Sequence, residues 1–268
     1  MDKSILKKID KVHDILKNKK VLIAYSGGVD SSTISSLAKD VSDRVLAVTV
    51  NSQLMTNGEL KDANDTAKEI GIEWKVIDVD VLSNEKFVEN PPDRCYYCKI
   101  EILNKILAVA KEESLELIID GTNADDLEDH RPGHVALLEL NVRSPLAEAG
   151  LRKNEIREIA KFRGLKVWER PSMACLASRI PYGKEVTAEK LKIIEKAENV
   201  IKHKARVKVV RVRCYDDLAK IEIGKNEMNK IYSEEIIKEI TEYLKSLGFK
   251  YVTLDLEGYR SGALDEVL

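Results

Sequence analysis

The sequence predicts an α/β protein, with a parallel sheet that carries helices on both faces and a small C-terminal α+β domain. In the first part of the chain, short apolar runs alternate with amphipathic helical segments, and this alternation favours crossover connections and a parallel sheet. Around residues 171–183 the periodicity stops and two prolines stand among small residues. We therefore place a domain boundary there and expect one domain over residues 1–175 and a second over residues 176–268.

The composition is that of a soluble globular protein. Of the 268 residues, 44% are hydrophobic and 34% are charged, and the formal net charge is −2. No apolar run approaches the roughly 18–20 residues of a membrane span, and the charged N-terminal segment does not resemble a signal peptide. We therefore expect no membrane association and a cytoplasmic location. The nearly neutral charge argues against strong non-specific binding of nucleic acid, because such binding depends on neutralising phosphates.

Hydrophobic periodicity predicts each element of the first domain. Ile5, Ile9, Val12 and Leu16 recur at helical spacing and indicate a first helix over residues 3–17. The segments predicted after it are a strand from Val21, a helix over 30–40, a strand over 44–50, a helix ending at Gly71, a strand over 73–79, a helix over 96–112 and a strand over 115–120. Ligands of parallel sheets lie beyond the carboxyl ends of the strands, so we expect the site in the loops that follow these strands.

A further helix over residues 154–163 precedes the boundary. Beyond it, Thr187 is expected to cap a helix that runs to about residue 202, and Ser233 to cap another that ends at Gly248. The strands predicted here cover residues 206–214, 218–224 and 251–254. This order of helices and strands indicates a small α+β domain.

A glycine-rich turn, Ser26-Gly27-Gly28-Val29-Asp30-Ser31-Ser32, follows the first predicted strand. Two glycines let the backbone turn sharply and approach a ligand, and the start of the next helix offers N–H groups to an anion. The hydroxyls of Ser26, Ser31 and Ser32 add donors, whereas the lysine of a Walker loop and the spacing of the dinucleotide fingerprint are absent from the turn. The pattern resembles the PP-loop of ATP pyrophosphatases. The alternative is a plain strand–turn–helix connection with an aspartate cap.

A second loop of interest, Asp120-Gly121-Thr122-Asn123-Ala124-Asp125-Asp126, follows another predicted strand. At the carboxyl end of that strand, Gly121 and Thr122 can approach a bound nucleotide. The paired carboxylates Asp125 and Asp126 can hold Mg²⁺, which takes one or two carboxylates together with substrate phosphates. An acidic helix N-terminus, favoured by the helix dipole, explains the same pair, and the sequence leaves both interpretations open.

Three of the four cysteines are candidate metal ligands. Cys95 and Cys98 lie three residues apart at the start of a predicted helix that Asp93 caps, so both face the same side. Such a pair is typical of a redox site, half a zinc site or half an iron–sulfur site, and the sequence has no second pair for a four-cysteine zinc site. With Cys175, three cysteines can hold a cluster in which one iron lacks a protein ligand. The alternative is three buried thiols, and Cys214 is expected in the core.

Arginine side chains form the last group of candidates. Strand alternation places Arg211 and Arg213 side by side on one face, which suits bidentate binding of a phosphate or carboxylate. The alternative is a solvated hairpin face, paired with residues of the next strand. Arg179, beside Cys175, and Arg260, in a glycine-flanked loop, are further candidates.

Together these segments resemble the LarE family, the pyridinium-3,5-bisthiocarboxylic acid mononucleotide synthases of the PP-loop superfamily. The resemblance rests on residues 26–31, 120–126, 143–146, 175–183, 211–213 and 254–262, which span almost the whole chain. It implies the PP-loop fold, also called adenine nucleotide alpha hydrolase-like. It also implies an ATP-dependent sulfurtransferase that adenylates a carboxylate of pyridinium-3,5-biscarboxylic acid mononucleotide, releases pyrophosphate and AMP, and forms a thiocarboxylate for nickel-pincer cofactor biosynthesis.

The resemblance implies roles for the candidate residues as well. ATP, with Mg²⁺, is expected on Ser26, Gly27, Gly28, Asp30, Ser31, Ser32, Gly121 and Thr122, and catalysis is expected from Asp30 and Cys175. This chain resembles the family members that carry a 4Fe–4S cluster, because it has cysteines at positions 95, 98 and 175 (Cys95, Cys98 and Cys175). In those members an extra sulfide on the cluster is the expected sulfur donor. Arg211 and Arg213 resemble the family's binders of the substrate phosphate, and Arg179 and Arg260 remain candidates for it. The family also leads us to expect a homo-oligomer.

A tRNA thiolation enzyme of the same superfamily is the alternative function, since related PP-loop proteins also use three cysteines and a cluster. The nearly neutral charge of the chain counts against it, as does the lack of a recognisable RNA-binding module in the sequence. A non-catalytic nucleotide binder or electron carrier gives no role to Asp30 or to the three cysteines.

Overall fold

The computed structural model describes residues 1–56, 58–128, 132–171, 174–260 and 262–267. Its backbone contacts divide the chain into two compact units. The first unit comprises Met1–Asn84 and Asp93–Met173, and the second comprises Glu85–Pro92 and Ala174–Leu268. Ser172 and Met173, inside the predicted boundary, lie outside the described residues. None of the helices in these ranges has the length and apolar composition that crossing a membrane requires.

The helices and strands of both units are numbered here in chain order. The helices are α1 Lys3–Leu16, α2 Val29–Val41, α3 Glu59–Ile70, α4 Glu85–Val88, α5 Arg94–Glu112, α6 Ala124–Glu128, α7 Pro132–Glu139, α8 Pro145–Glu148, α9 Lys153–Phe162, α10 Ala188–Ala205 and α11 Glu234–Ser246. The strands are β1 Lys20–Ala24, β2 Arg44–Asn51, β3 Glu73–Asp78, β4 Leu117–Ile119, β5 Val210–Tyr215, β6 Leu218–Ile223 and β7 Tyr251–Leu254. Short 3-10 helices cover Val81–Ser83, Lys166–Glu169, Leu176–Arg179, Lys225–Ile231 and Asp265–Val267.

The strands of the first unit form one parallel four-stranded sheet in the order β3-β2-β1-β4. Val21 of the central strand β1 pairs with Val45 of β2 on one side and with Leu117 of β4 on the other. A parallel bridge between Ile119 and Arg143 continues the pairing at the end of β4. The prediction of a parallel sheet is confirmed, and the carboxyl ends of its strands lie along one edge.

Apolar residues on both faces of this sheet explain why helices pack against each face. Val21 and Ile23 of β1 pack into a core with α1, α2 and α9, whereas Leu22 packs into another with α5 and α7. Because successive residues of a strand point to opposite faces, the continuous apolar run of β1 is buried on both sides. Helices on both faces are therefore confirmed. Trp74 and Trp168 also pack against the first of these cores.

The second unit contains a three-stranded sheet in the order β5-β6-β7. β5 and β6 are antiparallel, whereas β6 and β7 are parallel. α10 packs against β5 and α11, and α11 also packs against β7. The prediction of a small C-terminal α+β domain is confirmed by this mixed sheet and its helices.

Residues 85–92 fold with the second unit although they precede α5 in the chain. Asn90 accounts for this association, because it is fully buried and bonds to a loop of that unit. Its side-chain amide donates to the carbonyls of Pro181 at 2.8 Å and Lys184 at 2.9 Å, and its own carbonyl accepts from Gly183 N at 2.9 Å. Hydrophobic periodicity does not predict that residues 85–92 join the second unit. The domain limits of 1–175 and 176–268 stay a prediction.

Element boundaries differ from the predicted ones most clearly between α10 and β5. α10 continues to Ala205, beyond the predicted end near residue 202, and β5 begins at Val210 and not at residue 206. Arg206 caps α10 with a left-handed backbone at φ 51°. The turn made there separates the helix from the strand, so residues 206–209 connect the two elements.

Candidate active site

The turn from β1 to α2, residues 26–31, forms a cradle at the carboxyl edge of the sheet. Gly27 has a φ of 71°, and a Cβ at this position would lie 2.7 Å from the Cα of Ala63. Only glycine combines this left-handed backbone with so close a contact. Gly28 is the N-cap of α2 and provides no side-chain cap, which leaves the first N–H groups of the helix available in the turn. This backbone is suited to an anion.

Two of the three predicted hydroxyl donors line the cradle. Ser26 Oγ lies 3.2 Å from Ser31 Oγ and accepts from Gly28 N at 3.3 Å. Ser32, by contrast, is fully buried, with its Oγ 3.2 Å from Tyr25 Oη, and its backbone N–H donates to Gly28 O. The hydroxyl of Ser32 is thus engaged with Tyr25 in this structure, and its role in binding ATP stays a prediction.

The loop after β4 meets the cradle directly. A Cβ on Gly121 would lie 2.8 Å from Ser31 N, so this backbone approaches the start of α2 as closely as glycine allows. Asp120 holds the loop in place, since its carboxylate accepts from Thr122 N at 3.1 Å, Thr122 Oγ1 at 2.6 Å and Ser144 Oγ at 2.7 Å. The structure therefore brings the two predicted nucleotide loops together.

Asp30 is the carboxylate of the cradle. One of its oxygens, Oδ2, accepts a hydrogen bond from the ammonium of Lys153 at the start of α9. The other, Oδ1, is buried and has no hydrogen-bond partner among the described residues. Burial raises the pKa of Asp30, although the charge of Lys153 opposes the shift. A partly buried carboxylate with one unbonded oxygen is suited to a metal ion or to a donor on a ligand.

Asp125 and Asp126, the alternative magnesium ligands, are engaged elsewhere. Asp125 accepts from Lys153 N at 2.7 Å and from Arg152 Nη1 at 2.6 Å, and these contacts lower its pKa. Asp126 accepts from Asn123 N at 3.0 Å. The observed bonds favour the interpretation of this pair as an acidic helix N-terminus.

Arginines cluster in the second unit. Arg179, Arg211 and Arg213 are buried, with 3%, 7% and 5% of their surface exposed. Arg179 pairs with Glu198 at 2.8 Å, and Arg213 pairs with Glu222 at 2.7 Å. The alternative of a solvated hairpin face is therefore wrong, because β5 is covered on both sides as far as Cys214.

Arg211 adds a third guanidinium to this cluster. It lies 5.0 Å from the ring centre of Tyr259, and burial and the charge of Arg179 lower its pKa. Glu198 and Glu222 offset two of the three positive charges, and an anionic group bound in the cluster would offset the rest. Arg260 is placed differently, since it forms exposed ion pairs with Glu257 and Glu266.

The cysteines divide into accessible and buried thiols, and none forms a disulfide. Cys95 is exposed and Cys98 partly exposed on the first turn of α5, in the first unit. Cys175 is exposed in the second unit, at the start of a 3-10 helix. The described residues contain no group of three His, Cys, Asp or Glu side chains placed to hold a metal ion. Cys214 is buried as predicted, and burial raises its pKa.

Sequence reasoning missed two charged partners of these residues. Lys153 stands 123 residues from Asp30, and no spacing rule connects them. Glu198 pairs with the buried Arg179, and no local pattern connects these two residues. Glu222, by contrast, is one of the residues that strand alternation places opposite the arginines of the hairpin, and it pairs with Arg213.

Comparison with known proteins identifies the family. A family model described as NAD synthase matches residues 3–91. A pyridinium-3,5-bisthiocarboxylic acid mononucleotide synthase of Lactiplantibacillus plantarum is 34% identical over 253 residues, which cover 93% of this chain and 90% of the relative. An uncharacterized protein of Synechocystis sp. is 40% identical over 93% of both chains, and a glutamine-hydrolyzing GMP synthase component of Pyrococcus abyssi is 30% identical over 75% of this chain and 69% of its own. This protein therefore has the ATP-utilising PP-loop fold and belongs to the LarE family.

Proposed function

We propose that this protein adenylates a carboxylate of pyridinium-3,5-biscarboxylic acid mononucleotide and converts it to a thiocarboxylate for nickel-pincer cofactor biosynthesis. The observation that carries the proposal is the contact between Gly121 and the start of α2 at Ser31, in a chain 34% identical to a pyridinium-3,5-bisthiocarboxylic acid mononucleotide synthase. It brings the two candidate nucleotide-binding loops together at the edge of a parallel sheet, where ligands of such sheets bind.

Adenylation would proceed in the cradle. The substrate carboxylate attacks the α-phosphorus of ATP, the bond from that phosphorus to the bridging oxygen breaks, and its electron pair leaves with pyrophosphate. We assign the phosphates to the backbone of Gly27 and Gly28 and to the hydroxyls of Ser26 and Ser31, with the Gly121–Thr122 loop beside them. Asp30 Oδ1, which has no other partner among the described residues, would take Mg²⁺.

The phosphate of the substrate would bind the arginine cluster of the second unit. Arg179, Arg211 and Arg213 are buried together, and guanidiniums match the geometry of phosphate oxygens. Arg260 would join them only by releasing Glu257 and Glu266.

Cys175 would act at the sulfur transfer step. Arg179 donates to the carbonyl of Ala174 at 2.6 Å and to that of Cys175 at 2.8 Å, so the same guanidinium orients the cysteine loop. The thiols of Cys95 and Cys98, on one turn of α5, have the donor chemistry of an iron–sulfur ligand pair. We propose that these two cysteines and Cys175 hold a 4Fe–4S cluster, which would supply a sulfide as the nucleophile when bound.

The adenylation step is tested by ATP–pyrophosphate exchange. We expect label from pyrophosphate to enter ATP when pyridinium-3,5-biscarboxylic acid mononucleotide is present, and not with a pyridine mononucleotide that lacks a carboxylate. Equal exchange with both compounds, or exchange with neither, would contradict the proposal. Salt-sensitive binding of tRNA well below micromolar in a filter assay would favour tRNA thiolation instead.

The cluster is tested on protein purified without oxygen. We expect iron and acid-labile sulfide in the wild-type protein and their loss from Cys95→Ala, Cys98→Ala and Cys175→Ala. Cys214→Ala is the matched control and should retain both, because Cys214 is buried in β5. Zinc in place of iron, or retention of the cluster by the three variants, would exclude this assignment. The homo-oligomeric state implied by the family and the cytoplasmic location expected from the sequence are parts of the same proposal.

A further inference from the structure

We propose that Arg157 is a positioning residue, which fixes the chain segment that leads to Cys175 against the helix beside the ATP cradle. The inference deepens the proposed function and rests on it, because it assigns Arg157 to the sulfur transfer step and not to adenylation. Sequence spacing gives no sign of this role. The tertiary structure alone brings the Arg157 guanidinium to the backbone of Trp168 and Arg170.

The side chain of Arg157, on α9, binds the backbone of the segment that follows the helix. Its Nη1 donates to the carbonyl of Trp168, and its Nη2 donates to that of Arg170 at 2.8 Å. A guanidinium presents its donors as a planar fork, so one side chain holds two carbonyls that stand two residues apart. A lysine ammonium, which is a compact point charge, does not reproduce this fork.

The side chain of Arg170 holds the same segment from a second direction. Its Nη1 lies 3.5 Å from Asp62 Oδ2, and Asp62 precedes Ala63, the residue of α3 that Gly27 approaches. Burial raises the pKa of Tyr25, just before the cradle, and the charge of Arg170 opposes that shift. Residue 170 is therefore attached to α9 through its carbonyl and to α3 through its guanidinium.

The helix that holds this segment also borders the cradle. α9 packs against α2, the helix that begins in the cradle. Burial raises the pKa of Asp30, and the charges of Lys153 and Arg157 oppose that shift. The guanidinium of Arg157 thus lies near enough to the cradle for its charge to act on Asp30 while it binds the two carbonyls.

The chain between Arg170 and Cys175 is short. Cys175 follows Arg170 by five residues, and five residues span at most about 18 Å when fully extended. The position of residue 170 therefore limits where the thiol of Cys175 can lie. This limit matters for rate, since a misplacement of about 1 Å can slow a reaction about 100-fold.

Only the second step of the proposed reaction needs Cys175. In that step sulfur bonds to the carbonyl carbon of the adenylate, and the bond from this carbon to the AMP oxygen breaks, with its electron pair leaving on AMP. Adenylation takes place in the cradle, whose backbone does not depend on the fork of Arg157. Loss of the fork should therefore affect the two steps differently.

The test compares the two steps in Arg157→Lys, which keeps the positive charge and removes the fork. ATP–pyrophosphate exchange with pyridinium-3,5-biscarboxylic acid mononucleotide should stay within about twofold of the wild-type rate. Formation of the thiocarboxylate in a single turnover should slow by about 10- to 100-fold, as expected for a misplaced reacting group. An equal change of both steps, or an unchanged transfer step, would overturn the inference.

Arg163→Lys is the matched control, because it makes the same replacement on the same helix. The guanidinium of Arg163 also binds a backbone carbonyl, that of Ser36, and it pairs with Asp40. This variant should leave both steps unchanged. A slower transfer step in Arg163→Lys as well would show a general effect of arginine replacement on α9 and would overturn the inference.

Hydrogen exchange followed by mass spectrometry tests the attachment without any turnover. The amides of Trp168 and Arg170 donate to Leu165 O and Val167 O. In Arg157→Lys they should exchange about 10-fold faster or more, as expected when hydrogen bonds from a charged group are lost. Unchanged exchange at these amides would overturn the inference. Faster exchange there, in a protein whose wild-type form fails the pyrophosphate exchange assay, would retain the attachment through Arg157 and reject the proposed function.

Discussion

Gly27 is the residue on which the shape of the cradle depends most directly. Its φ of 71° costs about 1–2 kcal/mol for any residue with a Cβ. The added atom would also lie 2.7 Å from the backbone of Ala63, which belongs to α3 and cannot yield as a flexible side chain does. The left-handed backbone and the close contact with Ala63 therefore both require glycine at this position.

Gly27→Ala should lower the free energy of unfolding by about 2–4 kcal/mol, because backbone strain and a steric clash add. It should also weaken ATP binding, since α3 and the cradle must separate to admit the methyl group. The matched control is Gly164→Ala, at φ 74° but with no atom within 4 Å of the added Cβ. That variant should lose only about 1 kcal/mol in urea denaturation. Equal losses for the two variants would show that the contact with Ala63 does not matter.

The buried arginines are more informative about function than about stability. Arg213 pairs with Glu222 where both side chains are almost fully buried, and the desolvation of such a pair cancels much of its attraction. The guanidinium of Arg211 is buried in the same cluster as those of Arg179 and Arg213, and burial lowers its pKa. Stability alone gives no reason to collect this charge, so ligand binding is the better explanation.

At the scale of elements, the caps of α10 and α11 show how similar sequence signals lead to different contacts. Thr187 and Ser233 both precede a helix and both are predicted caps. Thr187 Oγ1 accepts from the N–H of Lys190 at 3.2 Å, whereas the side chain of Ser233 makes no such bond. The two hydroxyls should therefore differ in their contribution to helix stability.

Thr187→Ala should destabilise the start of α10 by about 1 kcal/mol, the usual value of a lost N-cap bond. Ser233→Ala should change stability by less than about 0.5 kcal/mol. Hydrogen exchange followed by mass spectrometry on peptides from α10 and α11 measures both effects. Each exchange rate is compared with that of the same peptide in the wild-type protein. A larger increase in α11 on Ser233→Ala than in α10 on Thr187→Ala would contradict the assignment of the caps.

Regular elements were predictable because their signals are local. The apolar run of β1 indicates a strand buried on two faces, and Gly71 marks the end of α3 through its left-handed backbone. The burial of Arg211 was not predictable, because alternation assigns a side chain to a face but does not say what covers that face. The contact between Lys153 and Asp30 depends on the packing of α9 near α2, which no local pattern encodes.

At the scale of the whole molecule, the site concentrates at the carboxyl edge of the parallel sheet. The first turn of α2 supplies Asp30, the loop after β4 supplies Gly121, and α9 supplies Lys153. This arrangement places the carboxylate of Asp30 where burial disfavours its charged form. The free energy of unfolding should therefore depend on pH through this group.

Burial raises the folded-state pKa of Asp30 above its unfolded value. Between the two values the folded protein binds more protons than the unfolded chain, so stability falls as pH rises through this window, from about pH 4 upwards. Asp30→Asn removes this titration. The free energy of unfolding of Asp30→Asn, relative to that of the wild-type protein, should therefore increase with pH across the window.

Asp30→Asn also changes the hydrogen bond that Lys153 donates to this side chain, which alters the absolute stability of the variant. The informative quantity is therefore the slope, with pH, of the difference in free energy of unfolding between the variant and the wild-type protein. Tryptophan fluorescence reports the unfolding of the unit that contains Asp30, since the only two tryptophans of the sequence, Trp74 and Trp168, both belong to the first unit. A flat or falling difference in urea titrations of the nucleotide-free protein would mean that Lys153 compensates the burial of Asp30 completely. In that case Asp30 would have no need of a second cation.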